Sequence, residues 1–284
     1  MKAEYCIMHD HRLNQVRGIL LSFRPGVMMA RAELRFYEEL NDFLAPALRR
    51  RTFSHAFDRR TSIKDMIESF GVPHTEIDII LVNGESVDFG YIVQDGDRIS
   101  VYPVFERLDV TPLVRLRPAP LRTSAFIIDS NLGRLARYLR LLGFDCLYRN
   151  DYDDDTIAGL ASREARIVLT RDRALLQRKL ITRGYFVRAV DPRQQAREVL
   201  ARLDLYRQVN PFTRCSRCNG TLQDVDKQQV ASQLEPRTHL SYDTFRQCTR
   251  CGPVYWQGSH HPRSRRLIAA LSHPGAGQPR DDRQ

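Results

Sequence analysis

Alternation and helical stripes divide the chain before any residue chemistry is considered. In "RAELRFY", Ala32, Leu34 and Phe36 alternate with charged positions, as in a half-buried strand. "TFSHAF" alternates again through Phe53, His55 and Phe57. In "TSIKDMIESFGVP", Ile63, Met66, Ile67 and Phe70 fall on one helical face, Ser62 and Asp65 supply a capping-box-like start, and Gly71 and Pro73 stop it. "DIILVNGESV" reads as strand, Asn-Gly turn, strand, and "DGDRISVYPVF" as a turn and a last strand. The order ββαβ(β)β predicts a β-grasp, ubiquitin-like domain over residues 30–108. Residues 1–29 carry no clear period and are expected to form a disordered extension.

"DVTPLVRLRPAPLRT", residues 109–123, reads as an extended, proline-rich linker. Over residues 124–208 strand and helix patterns alternate four times. "AFIID" is followed by "NLGRLARYLRLLGF", with Leu132, Leu135, Leu139 and Leu142 inward and Gly143 as its stop. "DCLYRN" is followed by "DDDTIAGLASREA", "RIVLTRD" by "RALLQRKLITRG", and "YFVRAVD" by "PRQQAREVLARLDL". This repeat predicts an α/β fold, a parallel sheet with helices on both faces. A cysteine-bearing segment follows over residues 209–262, and residues 263–284 are expected to be a disordered tail.

An acid stands at or just after each of the four strand ends: Asp129, the cluster Asp151–Asp155, Asp172 and Asp191. A parallel sheet binds ligands beyond the carboxyl ends of its strands, so the fold would gather these acids in one crevice. Crowded carboxylates need a cation, and oxygen ligands favour Mg²⁺ or Mn²⁺. Such an ion would serve hydrolysis of a phosphodiester. The competing reading is that each Asp caps the following helix. The cluster is not an EF-hand calcium loop: Thr156 stands where the turn glycine belongs and Ser162 where the bidentate glutamate belongs. Asp153 is its expected helix cap, and which acid of residues 151–155 would reach a metal stays open at this point.

The formal net charge is +10, and of 44 basic residues only four are lysine. Two readings stand: a surface suited to phosphate, or an arginine-rich genome spelling "basic" in its own way. Arg134, Arg137 and Arg140 run opposite the leucine stripe of the first helix of the repeat, and Arg171 and Arg173 flank Asp172. Arg134, Arg137, Arg171 and Arg173 are the candidate contacts to a nucleic-acid strand; for Arg140, farthest from the helix start, a solvated helix face is at least as good a reading. Four of the six cysteines form two C-x2-C knuckles, Cys215/Cys218 and Cys248/Cys251, separated by 29 residues. Two such knuckles suit a closed, structural Zn²⁺ site, a zinc ribbon. Tyr255 and Trp256 follow the second knuckle and can stack on bases or form the ribbon's small core. No apolar run approaches the length of a membrane span, and "GILLSF" is too short for a signal-peptide core, so the cytoplasm is the expected location.

The segments "IIDSNLGRLARYLRLLGFD", "RNDYDDDTI", "IVLTRDRALL" and "CSRCNG…CTRCGPVYWQGSH" resemble the PIN-like ribonuclease domain first described at the C-terminus of the worm mutator exonuclease. "LRFYEELNDFL", "SIKDMIESFGVPHTEIDIILVNGESVDF" and "VQDGDRISVYPVFE" resemble the ubiquitin-like domain fused ahead of it, related to the ThiS/MoaD sulfur carriers. The resemblance implies a PIN-like sheet between a β-grasp domain and a zinc ribbon, and a metal-dependent, endonucleolytic ribonuclease acting on RNA. It implies Asp129, Asp154, Asp172 and Asp191 as the catalytic acids, with Mg²⁺ or Mn²⁺ on the first three. Two departures matter. Ser130-Asn131 replaces the Glu or His common after the first acid, and "VFERLDV" stands where a sulfur carrier would have its terminal Gly-Gly. The ubiquitin-like domain is therefore expected to bind a protein partner. The alternative function is a non-catalytic RNA- or ribosome-binding adaptor that uses the ribbon and the basic surface.

Overall fold

The computed structural model describes residues 29–103, 116, 124–257 and 261–272, with backbone alone at 261 and 263. Nearly all of the expected extension, most of the linker, Cys6 and the chain beyond residue 272 lie outside the described residues.

The N-terminal domain is a mixed sheet with one main helix. Its strands are β1 (Ala30–Phe36), β2 (Phe53–Phe57), β3 (Ile77–Val82), β4 (Glu85–Val87) and β5 (Arg98–Pro103), with α1 (Ile63–Ser69) between β2 and β3. They lie in the order β2-β1-β5-β3-β4, with β1 and β5 parallel and the other pairs antiparallel. The alternation read from "RAELRFY" is realised: Ala32, Leu34 and Phe36 are buried against Ile63, Met66 and Ile67 of α1. Ser62 accepts the Asp65 amide at 3.1 Å and caps α1. Asn83 and Gly84 both have positive φ (54° and 96°), the backbone a tight hairpin turn requires.

The central domain carries β6 (Ala125–Ile128), α2 (Gly133–Leu141), β7 (Asp145–Leu147), α3 (Asp154–Arg163), β8 (Ile167–Thr170), α4 (Arg173–Leu176), β9 (Gly184–Phe186) and α5 (Pro192–Arg202). Its four strands are all parallel, in the order β7-β6-β8-β9. Side chains alternate across the sheet. Phe126, Ile128 and Leu169 join the core under α2 and α5, while Ile127 and Val168 join the core under α3 and α4. The chain leaves β6 toward β7, then crosses back to β8, so strand order reverses between β6 and β8. A crevice at their carboxyl ends follows from that reversal.

The cysteine region holds β10 (Leu222–Val225), β11 (Phe245–Cys248) and β12 (Val254–Trp256) in an antiparallel sheet. The long spacer between the knuckles is taken up by short helices α6 (Lys227–Val230) and α7 (Pro236–Ser241) between β10 and β11. The chain then enters α8 (His261–Ser272).

Three expectations need correction. Residues 263–272 belong to α8 and not to a disordered tail, because Leu267, Ile268 and Leu271 pack into the core shared by α2 and α5. The helix expected over "RALLQRKLITRG" is a single turn, α4. After it the chain bends to bury Ile181 and to run close under β9, where a Cβ on Gly184 would meet Leu176 at 2.5 Å. Arg140 is 4% exposed, and its guanidinium donates to the carbonyls of Cys146, Ser216 and Arg217, bracing the first cysteine knuckle on the sheet.

Each edge of the central sheet has an amide taken up by a neighbouring region. At the β7 edge, Asn219 accepts from the Cys146 amide at 2.9 Å and donates to Asp145 at 2.8 Å. Arg166 and Arg214 also pair with Asp145; although burial alone would raise its pKa, these partners hold the carboxyl below the usual range. At the β9 edge, the Phe186 amide donates to Oε1 of Glu76 at 2.6 Å. Glu76 comes from the N-terminal domain and is 1% exposed. Arg188 reaches both Glu76 and Asp42.

Candidate metal and nucleic-acid site

The sheet brings Asp129 and Asp172 to neighbouring strand ends at the reversal of strand order. Asp129 follows β6 and is 7% exposed. The turn Ser130–Leu132 that follows it receives no side-chain cap from Asp129. Its carboxylate instead accepts from the Thr170 hydroxyl at 2.7 Å on one oxygen and from the Ser130 hydroxyl at 3.1 Å on the other. Thr170, fully buried at the end of β8, also accepts the Asp172 amide at 2.9 Å. One hydroxyl thus ties the two acids together.

The other acids divide by what their oxygens do. Asp172 caps α4 through Oδ1, which accepts the Ala174 amide at 2.8 Å. Asp191 caps α5 through Oδ1, which accepts the Arg193 and Gln194 amides. Asp153 caps α3, and the Thr156 hydroxyl and amide hold its carboxyl below the usual range. Asp151 is tied to Arg149, and Asp155 to Arg178. Asp154 sits at the first position of α3 with no hydrogen bond or ion pair among the described residues. The capping reading therefore holds in part for Asp172 and Asp191, each with one oxygen left over, and does not hold for Asp129 or Asp154.

A cleft of about 570 Å³ opens between the ends of α2 and α5, lined by Asn131, Arg134, Arg137, Tyr148, Asn150 and Val190 among others. Gly133 is required here: a Cβ would meet the Tyr148 hydroxyl at 2.5 Å, and that hydroxyl donates to the Ser130 carbonyl. Arg134 and Arg137 line the cleft without a hydrogen bond or ion pair among the described residues. Arg171 and Arg173 are placed differently. Arg171 donates to the carbonyls of Arg188 and Ala189. Arg173 donates to Phe43 O at 3.0 Å and lies over the Phe43 and Phe186 rings, in the contact with the N-terminal domain. In the structure Arg173 is engaged in that contact.

Among the described residues, the one cluster of three or more potential ligands with atoms close enough to share an ion is Cys215, Cys218, Cys248 and Cys251. Their sulfurs stand 3.4–3.6 Å apart in the recorded pairs. A tetrahedron with Zn–S legs of ~2.3 Å has edges of about 3.8 Å, so the four fit Zn²⁺. Amides of Cys218, Gly220 and Arg250 donate to the sulfurs, as thiolate ligands require. Burial works against ionisation of Cys215, but the Tyr255 hydroxyl and nearby amides outweigh it and hold the thiol at about 6. Burial and the neighbouring sulfurs push Cys251 up, so a cation is needed for all four to ionise. Cys146 is buried apart from them and its thiol is driven up by desolvation, which makes it inert.

The acids offer no such ready-made cage, and Mg²⁺ does not demand one. It binds through one or two carboxylates, keeps several waters and completes its shell with phosphate. A buried carboxylate held by two hydroxyls, and tied through Thr170 to the strand end that carries Asp172, is compatible with that requirement. Sequence reading missed Thr170 and Asn219. A threonine two residues before a strand-end acid, and a short amide just after a knuckle, are the signals that mark them.

Two family models match. The one described as Mut7-C RNAse domain covers residues 124–268, and the one described as Mut7-C ubiquitin covers residues 29–109. No curated protein and no solved structure matches the chain. With just over half its length matched by the first, the chain belongs to the Mut7-C RNAse domain family and carries a ubiquitin-fold domain ahead of it.

Proposed function

We propose that the chain is a metal-dependent ribonuclease with a PIN-like central domain, cutting RNA at internal phosphodiesters. The observation that carries this reading is Asp129: a buried, ionisable carboxylate that caps nothing, held by Thr170 where the strand order reverses. Asp129, Asp172 and Asp154 would hold Mg²⁺ or Mn²⁺, and Asp191 would add a fourth carboxylate. When bound, such an ion lowers the pKa of water and offsets charge on the departing oxygen. The chain's own residues supply the remainder. Thr170 and Ser130 fix both oxygens of Asp129, so it need not reorganise on binding. Asp154 stands in the first turn of α3, at the positive end of the helix dipole. Arg134 and Arg137 line the cleft where the phosphates of a strand would lie.

The four cysteines would hold structural Zn²⁺, and reduced thiols suit the cytoplasm. No described helix is long and apolar enough to cross a membrane. The ubiquitin-fold domain would also be the docking point for a protein partner, through surfaces that its contact with the central domain leaves open.

The test is cleavage of labelled single-stranded and structured RNA by the zinc-loaded protein with added Mn²⁺, Mg²⁺ or Ca²⁺. Cleavage that appears with Mn²⁺ or Mg²⁺ and not with Ca²⁺ is expected. RNA that is bound but left intact with every ion would overturn the nuclease reading in favour of the adaptor.

A further inference from the structure

A second concavity, of about 480 Å³, lies on the cysteine region, where it meets the end of α2 and the start of α8. Trp256, Tyr255, Phe212 and Leu141 give it apolar walls, and Arg246 and Arg265 stand at its margin. The aromatic pair divides its work. Tyr255 turns its hydroxyl to Cys215 Sγ at 3.0 Å and serves the cysteine core. Trp256 is 41% exposed, and its indole borders the open cleft. The guanidiniums divide likewise. Arg246 is engaged by Asp224 and the Phe212 carbonyl. Arg265 has no ion pair or hydrogen bond among the described residues. An aromatic plate, an apolar wall and an uncommitted cation together suit an unpaired nucleobase and its phosphate.

Placement favours RNA over any other occupant. α2 begins at the cleft lined by Arg134 and Arg137 and ends, eight residues later at Leu141, in this one, a helix length of about 12 Å. On the same helical layer, Arg193 and Arg197 of α5 and Arg266 of α8 surround a small hollow of about 240 Å³. Arg197 is partly engaged, through the Ala270 carbonyl. A strand crossing this layer would meet Arg193, Arg197 and Arg266 around that hollow and Arg265 at the concavity beside Trp256.

We propose that this cleft is a nucleobase site, which holds single-stranded RNA by stacking one unpaired base on Trp256 with Arg265 at its phosphate. The inference rests on RNA being the chain's ligand, as in the reading above, but not on cleavage. Trp256 is the chain's single tryptophan, so intrinsic tryptophan fluorescence reports this site alone. The full, zinc-loaded chain is titrated with oligouridylate, without Mg²⁺ or Mn²⁺, following fluorescence and the anisotropy of labelled RNA in parallel. Quenching that saturates with the anisotropy change is expected, competed by single strands and not by duplex RNA. Trp256→Ala should weaken binding roughly 10–100-fold, the loss of one base–aromatic stack. Trp256→Phe should recover much of it, and Arg265→Gln should lower the salt slope by about one phosphate contact. Zinc content equal to wild type shows that the variants are folded. Saturating RNA with no quenching, or unchanged affinity in Trp256→Ala, would overturn the proposal. A chain that binds in this way but cuts nothing removes the nuclease reading and leaves the base site. One that cuts RNA with Trp256 unquenched does the reverse, and one with no affinity for RNA removes both.

Discussion

Thr170 is the residue on which the acids turn. Its hydroxyl donates to Asp129 and accepts from the Asp172 amide, so it fixes one acid's carboxylate and the other's backbone. Valine has the same shape without the hydroxyl. Thr170→Val should leave zinc content intact and lower Mn²⁺ affinity or RNA turnover by about 10–100-fold, as loss of an outer partner of a metal ligand does. Unchanged Mn²⁺ affinity and turnover would remove Thr170 from the site. The positions of these acids were legible from strand ends alone. Their division into caps and non-caps was not, since a strand-end Asp looks the same in either role. What decides is the following backbone: after Asp172 and Asp191 a helix turns its amides back, whereas after Asp129 the Ser130–Leu132 turn does not. A hydroxyl on the next strand then takes up the carboxylate.

At the scale of elements, strand β9 shows how the domains depend on each other. An edge strand exposes unpaired amides, and here a buried glutamate from the N-terminal domain accepts one of them. Glu76 also balances Arg188; burial would push that guanidinium's pKa down, and the nearby carboxylate raises it instead. Arg188 belongs to the loop that Arg171 holds and that leads to Asp191. Glu76→Gln keeps an acceptor for the Phe186 amide but removes the charge, and should cost about 1–3 kcal/mol. Denaturant unfolding that splits into two transitions, with the N-terminal domain parting first, would be the sign. A single transition at the wild-type midpoint would count against the coupling. Local pattern could not show this. The stripe on α2 grouped Arg140 with Arg134 and Arg137, because helical periodicity gives the face and not what covers it. The cysteine region returns over the last turn and buries Arg140. The same limit hid α8, whose Leu267, Ile268 and Leu271 stand out as a face only once α5 is there to receive them.

For the whole molecule, a central parallel sheet is held at one edge by the ubiquitin-fold domain and at the other by the cysteine region, with a cleft open between the starts of α2 and α5. The flanking parts brace the sheet by named contacts, and the helical layer of α2, α5 and α8 carries arginines away from the acids. That division suggests where charge and chemistry separate: the acids would set the rate, the basic layer the affinity. The most direct measurement is kcat for cleavage of a labelled RNA at saturating Mn²⁺ by zinc-loaded Asp129→Asn beside the wild type. We predict a fall of roughly 100-fold or more with RNA binding unchanged. Turnover at the wild-type rate would contradict the claim that these acids form the catalytic site.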